Sequence, residues 1–153
     1  MLNIGDLAPD FSAMADNGEE FKLSSLLGSR VILYFYPKDN TPGCTQEACD
    51  FRDLYDDFSS QNAKVIGVST DSVKSHQNFK AKFDLPFPLI ADQDRQIVNS
   101  YGVWVEKKNY GRVYMGIGRT TFVIDETGHI AEIFGNVRVK GHVENVSSVI
   151  NSK

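Results

Sequence analysis

Val31 to Pro37, VILYFYP, is an unbroken apolar run rich in β-branched and aromatic residues, the pattern of a strand buried on both faces. Ala63 to Thr70, AKVIGVST, repeats that pattern. Between them Cys44 to Ser60 reads as a helix, so the three segments form a βαβ unit with parallel strands. Ser72 to Phe83 reads as a second helix, FPLIAD as a short third strand, and Asp94 to Tyr101 as helical. TTFVIDETGHIAEIFG reads as two strands joined at Glu126-Thr127-Gly128, and Lys140 to Asn151 as a last helix. Ahead of the βαβ unit, FSAMADNGEEFKL predicts a hairpin with Asn17-Gly18 in its turn. LSSLLGS predicts one helical turn ending at Gly28. Neither repeats nor linkers interrupt this order. It predicts one α/β domain over residues 1–153, with a mixed sheet whose far end is antiparallel.

The net charge of −4 argues against a nucleic-acid-binding surface. No apolar run approaches the ~20 residues of a membrane span. The start, MLNIGDLAPD, lacks the basic segment and apolar core of a signal peptide. The expected location is therefore the cytoplasm, where thiols are kept reduced.

Both cysteines lie in PKDNTPGCTQEAC, directly after the first buried strand. With Thr41 as helix N-cap, Pro42 takes the first helical position, where its missing N–H costs nothing. Cys44 then takes the third, among unpaired backbone N–H groups at the positive end of the helix dipole. Cysteines in such places favour the reactive thiolate. At about 100° per residue, Ala48, Phe51, Tyr55 and Phe58 fall within roughly 40° of Cys44, on a buried stripe. Cys49 falls about 140° away, among Arg52, Asp53 and Asp56. Two helical residues at this spacing have Cα atoms roughly 8.7 Å apart, beyond the ~7 Å limit for a disulfide. A bond between them requires the helix to unwind, which suits a two-state reaction better than a permanent staple. A zinc site needs about four ligands at paired spacings. His76, His129 and His142 are single and scattered, so no metal is expected. The spacing is also longer than the Cys-x-x-Cys of thioredoxin-type motifs. From these residues alone, Cys44 remains either a small buried hydrophobe or a nucleophile.

Pro37-x-x-x-Thr41-x-x-Cys44 resembles the active-site signature of peroxiredoxins. The longer run YFYPKDNTPGCTQEACDFRD, with APDF near the start, YGVW at Tyr101 to Trp104 and GIGRTTFVID at Gly116 to Asp125, is similar to the bacterioferritin-comigratory-protein, or peroxiredoxin Q, subfamily over essentially the whole chain. The resemblance implies a thioredoxin-like fold with an N-terminal hairpin extension. It implies a thioredoxin-dependent, atypical two-cysteine peroxidase for hydrogen peroxide and organic hydroperoxides, with no cofactor. Cys44 would be the peroxidatic cysteine and pass through a sulfenic acid. Cys49 would resolve it as an intramolecular disulfide. Thr41 and Arg119 would complete the peroxide site and Pro37 would shield it. The resemblance further implies a monomer whose partners are the peroxide and thioredoxin or a similar dithiol. Beside these roles stand plainer ones: Thr41 as an N-cap, Pro37 as a strand terminator, Arg119 as a surface charge. Glu47 reads as a solvent-facing helix glutamate, the alternative being a partner of Arg119, and Trp104 as packing. Thioredoxins place a cis-proline opposite their reactive cysteine. The corresponding corner here reads Gly118-Arg119-Thr120, which favours a site for a peroxide over one that grips a peptide. A thiol–disulfide exchange protein and a non-enzymatic redox sensor are the competing classes.

Overall fold

The computed structural model describes residues 1–152. The chain begins with β1 (Ser12–Met14), β2 (Glu20–Lys22) and a 3-10 turn at Leu23–Leu26, and then enters β3 (Arg30–Phe35). There follow α1 (Pro42–Asp53), α2 (Tyr55–Ser60), β4 (Ala63–Ser69), α3 (Val73–Phe83), β5 (Leu89–Ala91) and α4 (Gln96–Ser100). The last part holds β6 (Trp104–Asn109), β7 (Arg112–Ile117), β8 (Thr120–Ile124), β9 (Ile130–Phe134) and α5 (His142–Asn151).

The central sheet has the order β5-β4-β3-β8-β9. β3 pairs in parallel with β4 and β4 with β5, while β8 runs antiparallel to both β3 and β9. β3 is thus the middle strand, and its unbroken apolar run has a direct cause. Val31, Leu33 and Phe35 project into one core with Phe11, Val68, Ile90 and Phe122. Ile32, Tyr34 and Tyr36 project into a second core with Cys44, Phe51, Phe79, Phe87 and Val146. Each such side chain removed from water contributes about 1.5–3 kcal/mol before entropy is counted. Gly67 on β4 sits opposite Tyr34. A Cβ there would lie 3.0 Å from the Tyr34 hydroxyl and 2.9 Å from Leu89 Cδ2, so the strand is notched to admit the ring.

The hairpin expected at Asn17-Gly18 forms, with Ser12 opposite Lys22 and Gly18 at φ +80. Two features differ from expectation. The helix expected over Cys44 to Ser60 breaks at Leu54 (φ −103, ψ 10), whose N–H is shared between the Asp50 and Arg52 carbonyls. No proline or glycine marks the break, and the apolar period runs straight through it. The hairpin of β6 and β7 was not expected at all. It pairs Asn109 with Arg112 across Tyr110-Gly111, both at positive φ, a two-residue turn of the kind that matches strand twist. Most of its side chains are exposed on both faces, so no alternation announces it.

Candidate active site

β3 delivers the chain to one end of the sheet, and the loop 36–41 turns it into α1. Asn40 takes φ +60, and Thr41 sits at the N-cap in extended conformation (φ −101, ψ 156), with Pro42 beginning the helix. The Thr41 backbone carbonyl accepts the first helical bond, from Thr45 at 2.8 Å. Its hydroxyl does not cap the helix. It donates back to the Lys38 carbonyl at 2.9 Å, which locks the loop instead of binding a helix N–H. Pro37 is half-buried directly after Tyr36, whose N–H still bonds to the Val68 carbonyl at 3.1 Å. Cys44 is 1% exposed, on the same face of α1 as Ala48 and Phe51.

Arg119 comes from the short connection between β7 and β8. Its neighbours are fixed. The Gly118 N–H donates to the Val103 carbonyl at 2.8 Å, and the Thr120 hydroxyl donates to the Gly118 carbonyl at 2.8 Å. From there Nη2 of Arg119 donates to Cys44 Sγ at 3.3 Å, and Nη1 donates to Glu47 Oε1 at 2.6 Å. Cys44 and Glu47 are three residues apart on one helix, so their side chains share a face. One planar guanidinium therefore spans both, a geometry a lysine lacks. Gly43 makes room for it: a Cβ there would lie 3.2 Å from Nη2.

The solvent-facing reading of Glu47 is wrong. Glu47 is wholly buried, 0% exposed. Its helical angle, about 60° from Cys44, puts it on the flank of the buried stripe, and that was the available signal. Only one carboxylate oxygen is bonded. Oε2 has no hydrogen-bond partner among the described residues, and His142 Nε2 stands 3.8 Å away. Burial raises the Glu47 pKa to about 7 against the pull of Arg119. Burial, with Arg119 adding to it, lowers His142 to about 4, so its ring is neutral and Nε2 pairs with the Thr121 hydroxyl at 2.8 Å. Burial alone would lower Arg119, but the facing Glu47 and Cys44 raise it. Lys107 on β6 is lowered by burial and then by Arg119, with Cys44 opposing. The β6–β7 hairpin thus stands within the electrostatic reach of Cys44, a neighbour the sequence did not reveal.

The Glu47 shift has a stability consequence. Folded Glu47 keeps a proton that the unfolded chain releases between pH 4.5 and about 7. Its contribution to stability therefore falls as pH rises through that window. His142 acts oppositely, losing stability as pH falls from 6.5 to about 4. Comparing Glu47→Gln with the native protein isolates the first term. The variant should gain stability relative to the native protein as pH rises from 4.5 to 7. A span of about 2.5 pH units at about 1.36 kcal/mol per unit sets a ceiling of about 3 kcal/mol. Urea melts across this range measure it, and a pH-independent difference would show that Glu47 titrates normally.

Cys49 is not brought to the site. Both cysteines are free, Cys44 buried and Cys49 half-exposed on the other side of α1. Trp104 packs partly against the first core, with the Arg95 guanidinium 5.3 Å over its ring. One group among the described residues, Asp39, Asp71 and His76, has the composition of a metal cluster. Its lone pairs are already engaged: Asp39 Oδ2 faces His76 Nδ1 at 2.7 Å, and Asp71 Oδ2 accepts from Ser69 Oγ at 2.6 Å.

Comparison with known proteins adds an independent line. The model of the AhpC/TSA family matches residues 4–133. The chain is 50% identical over 145 residues to a putative peroxiredoxin bcp of Coxiella burnetii, covering 95% of this chain and 96% of that one. It is 49% identical over 142 residues to peroxiredoxin Bcp of Bacillus subtilis, covering 93% and 90%. Among solved structures, a cysteine-to-serine mutant of PrxQ from Xylella fastidiosa superposes with a TM-score of 0.95 at 39% identity, covering 99% and 97%. A bacterioferritin comigratory protein of Xanthomonas campestris, described for its alkyl peroxide reduction activity, superposes with a TM-score of 0.89 at 38% identity, covering 93% and 90%.

Proposed function

Since the chain belongs to the AhpC/TSA family, within its Bcp and peroxiredoxin Q branch, and is a thioredoxin-fold peroxidase, we propose that Cys44 is the residue oxidised by the peroxide and Cys49 the one that resolves it. The observation that carries this reading is the guanidinium of Arg119, 3.3 Å from Cys44 Sγ in the first turn of α1. A fixed cation donating to a sulfur in the first turn of a helix is the setting in which cysteines serve as nucleophiles.

The Cys44 thiolate attacks one peroxide oxygen in line with the O–O bond. The S–O bond forms, the O–O bond breaks, and the departing oxygen leaves with the bonding pair and takes a proton as water or an alcohol. Low basicity alone does not make a fast nucleophile. The remaining acceleration comes from positioning and from donors aimed at the departing charge. Arg119, held by Glu47, is the donor the geometry offers. Thr41 supports the reading less directly, since its hydroxyl faces Lys38 in the resting site. Its part is to fix the loop, and rotation of the hydroxyl toward a bound peroxide would exchange one acceptor for another. Pro37 acts as the half-buried wall of the loop.

Opening of α1 then lets the Cys49 thiolate attack the sulfenic sulfur. A disulfide forms and water leaves. An external dithiol, of which thioredoxin is the natural chemical type, returns both thiols. Reduced thiols between turnovers fit a cytoplasmic setting, and two cores around one sheet fit a single-domain monomer. No helix of the described residues is long and apolar enough to cross a membrane.

Intact-mass analysis after one equivalent of hydrogen peroxide tests the pair. The native protein should lose two hydrogens and both blockable thiols. Cys49→Ser should consume one equivalent, retain a trappable Cys44 sulfenic acid and turn over with thioredoxin at least about a hundredfold more slowly. Undiminished cycling of that variant would remove Cys49 from the mechanism.

A further inference from the structure

α3 holds the segment that carries Cys44 at both ends. Behind it, Arg52 in the last turn of α1 donates from Nη1 to the Phe83 carbonyl at 2.8 Å. Ahead of it, Asp39 in the loop before α1 meets His76 of α3 at 2.7 Å, and the two residues are 7% and 0% exposed. The other ring nitrogen of His76 lies 3.0 Å from the Ile90 carbonyl. Both ring nitrogens thus face an oxygen, Nδ1 the Asp39 carboxylate and Nε2 the Ile90 carbonyl. The Asp39 carboxylate also accepts from Ser75 Oγ at 2.8 Å and from the Tyr36 hydroxyl at 2.7 Å. Its backbone N–H donates to Asp71 Oδ2 at 2.9 Å. A fully satisfied, buried network is a large investment of polar groups, and no step of the peroxide chemistry touches it.

We propose that Asp39 and His76 are positioning residues that set the balance between closed α1, which captures peroxide, and opened α1, in which Cys49 reaches Cys44. This rests on the reading of Cys49 as the resolving cysteine. Capture needs Cys44 and Glu47 on adjacent turns so that Arg119 spans them. Resolution needs that turn undone. Asp39 and Arg52 tie the two ends of this segment to α3, so opening that frees the loop works against these ties. The front anchor resists because separating Asp39 from α3 strips buried polar groups of their hydrogen-bond partners. The anchor also governs a competition. A sulfenic acid that waits for Cys49 is open to a second peroxide, which transfers another oxygen to sulfur and leaves as water or alcohol, giving the sulfinic acid. A firmer anchor gives faster capture, slower resolution and more sulfinic product.

Ser75→Ala removes one donor while leaving the Asp39–His76 pair intact, and His76→Gln breaks the pair. Ser75→Ala decides the matter if His76→Gln does not fold. Three readouts are taken: amide exchange over residues 38–45, the single-turnover rate of Cys44 oxidation by hydrogen peroxide, and the rate of Cys44–Cys49 disulfide formation by quenched mass analysis. Ser75→Ala should speed exchange over 38–45 by about threefold to tenfold, with β4 unchanged. Capture should slow and disulfide formation should quicken, each by about twofold to fivefold, with less sulfinic product at excess peroxide. Unchanged exchange, or two rates moving in the same direction as a merely destabilised fold would give, overturns the proposal. If the native protein forms no disulfide, the reading of Cys49 fails by itself, while exchange and capture still decide whether the anchor acts.

Discussion

Cys44→Ser should fold normally and consume no peroxide beyond the uncatalysed rate. Removing the nucleophile from a covalent catalyst costs on the order of 10⁶ in rate, and a serine hydroxyl offers no anion near neutral pH. The fold should survive because the new hydroxyl is not left unpaired. The site is 1% exposed, but Arg119 Nη2 is already 3.3 Å from the sulfur it replaces. The stability cost should stay near about 1 kcal/mol. Peroxide disappearance in a single-turnover assay, with a urea melt alongside, checks both halves. Retained turnover would move the chemistry away from Cys44. Cys49 would then be the sole remaining thiol, and its place among Arg52 and Asp53 offers no helix terminus to favour an anion.

The central strands and the first helical turn could be read in advance because short-range rules decide them. VILYFYP had to be buried on both faces, and Thr41-Pro42 had to begin a helix, and both did. Cys44 was marked by that same local geometry. Arg119 was not, because its contact with Cys44 joins positions 75 apart in sequence and nothing local distinguishes it from other cations. Only likeness to a family pointed there. Glu47 shows a different limit. A charged residue on a helix is ordinarily solvated, and its burial depends on Arg119 arriving to pair with it. His76 and Asp39 failed for the same reason: each is unremarkable until β3 and α3 bring them to 2.7 Å. The β6–β7 hairpin was illegible because strands exposed on both faces carry no alternation to read.

Arg119 does two things at once, and substitution separates them. It contacts Cys44 through Nη2 and neutralises Glu47 through Nη1. Arg119→Ala should therefore lose about 10²–10³ in the rate of Cys44 oxidation, the scale for removing one donor from a developing anion. It should also lose stability, by about 3–5 kcal/mol if Glu47 stays charged without its partner. That second loss must depend on pH. Glu47 already has a pKa of about 7 with Arg119 present, so below pH 6 it is protonated and needs its cation less. The destabilisation should accordingly be larger at pH 8 than at pH 5.5. Arg119→Lys should recover part of the stability and little of the rate, because a single ammonium cannot donate along two parallel directions. Adding Glu47→Gln to Arg119→Ala removes the buried carboxylate itself. The double variant should regain most of the stability at pH 8 and none of the rate. Urea melts at the two pH values and single-turnover oxidation by hydrogen peroxide measure the two effects on the same samples. If the double variant recovered both, Arg119 would be acting only as the counter-ion of Glu47. If it recovered neither, the stability loss would come from packing of the guanidinium at the β7–β8 corner and not from an unpaired Glu47, while the lost rate would still mark its contact with Cys44.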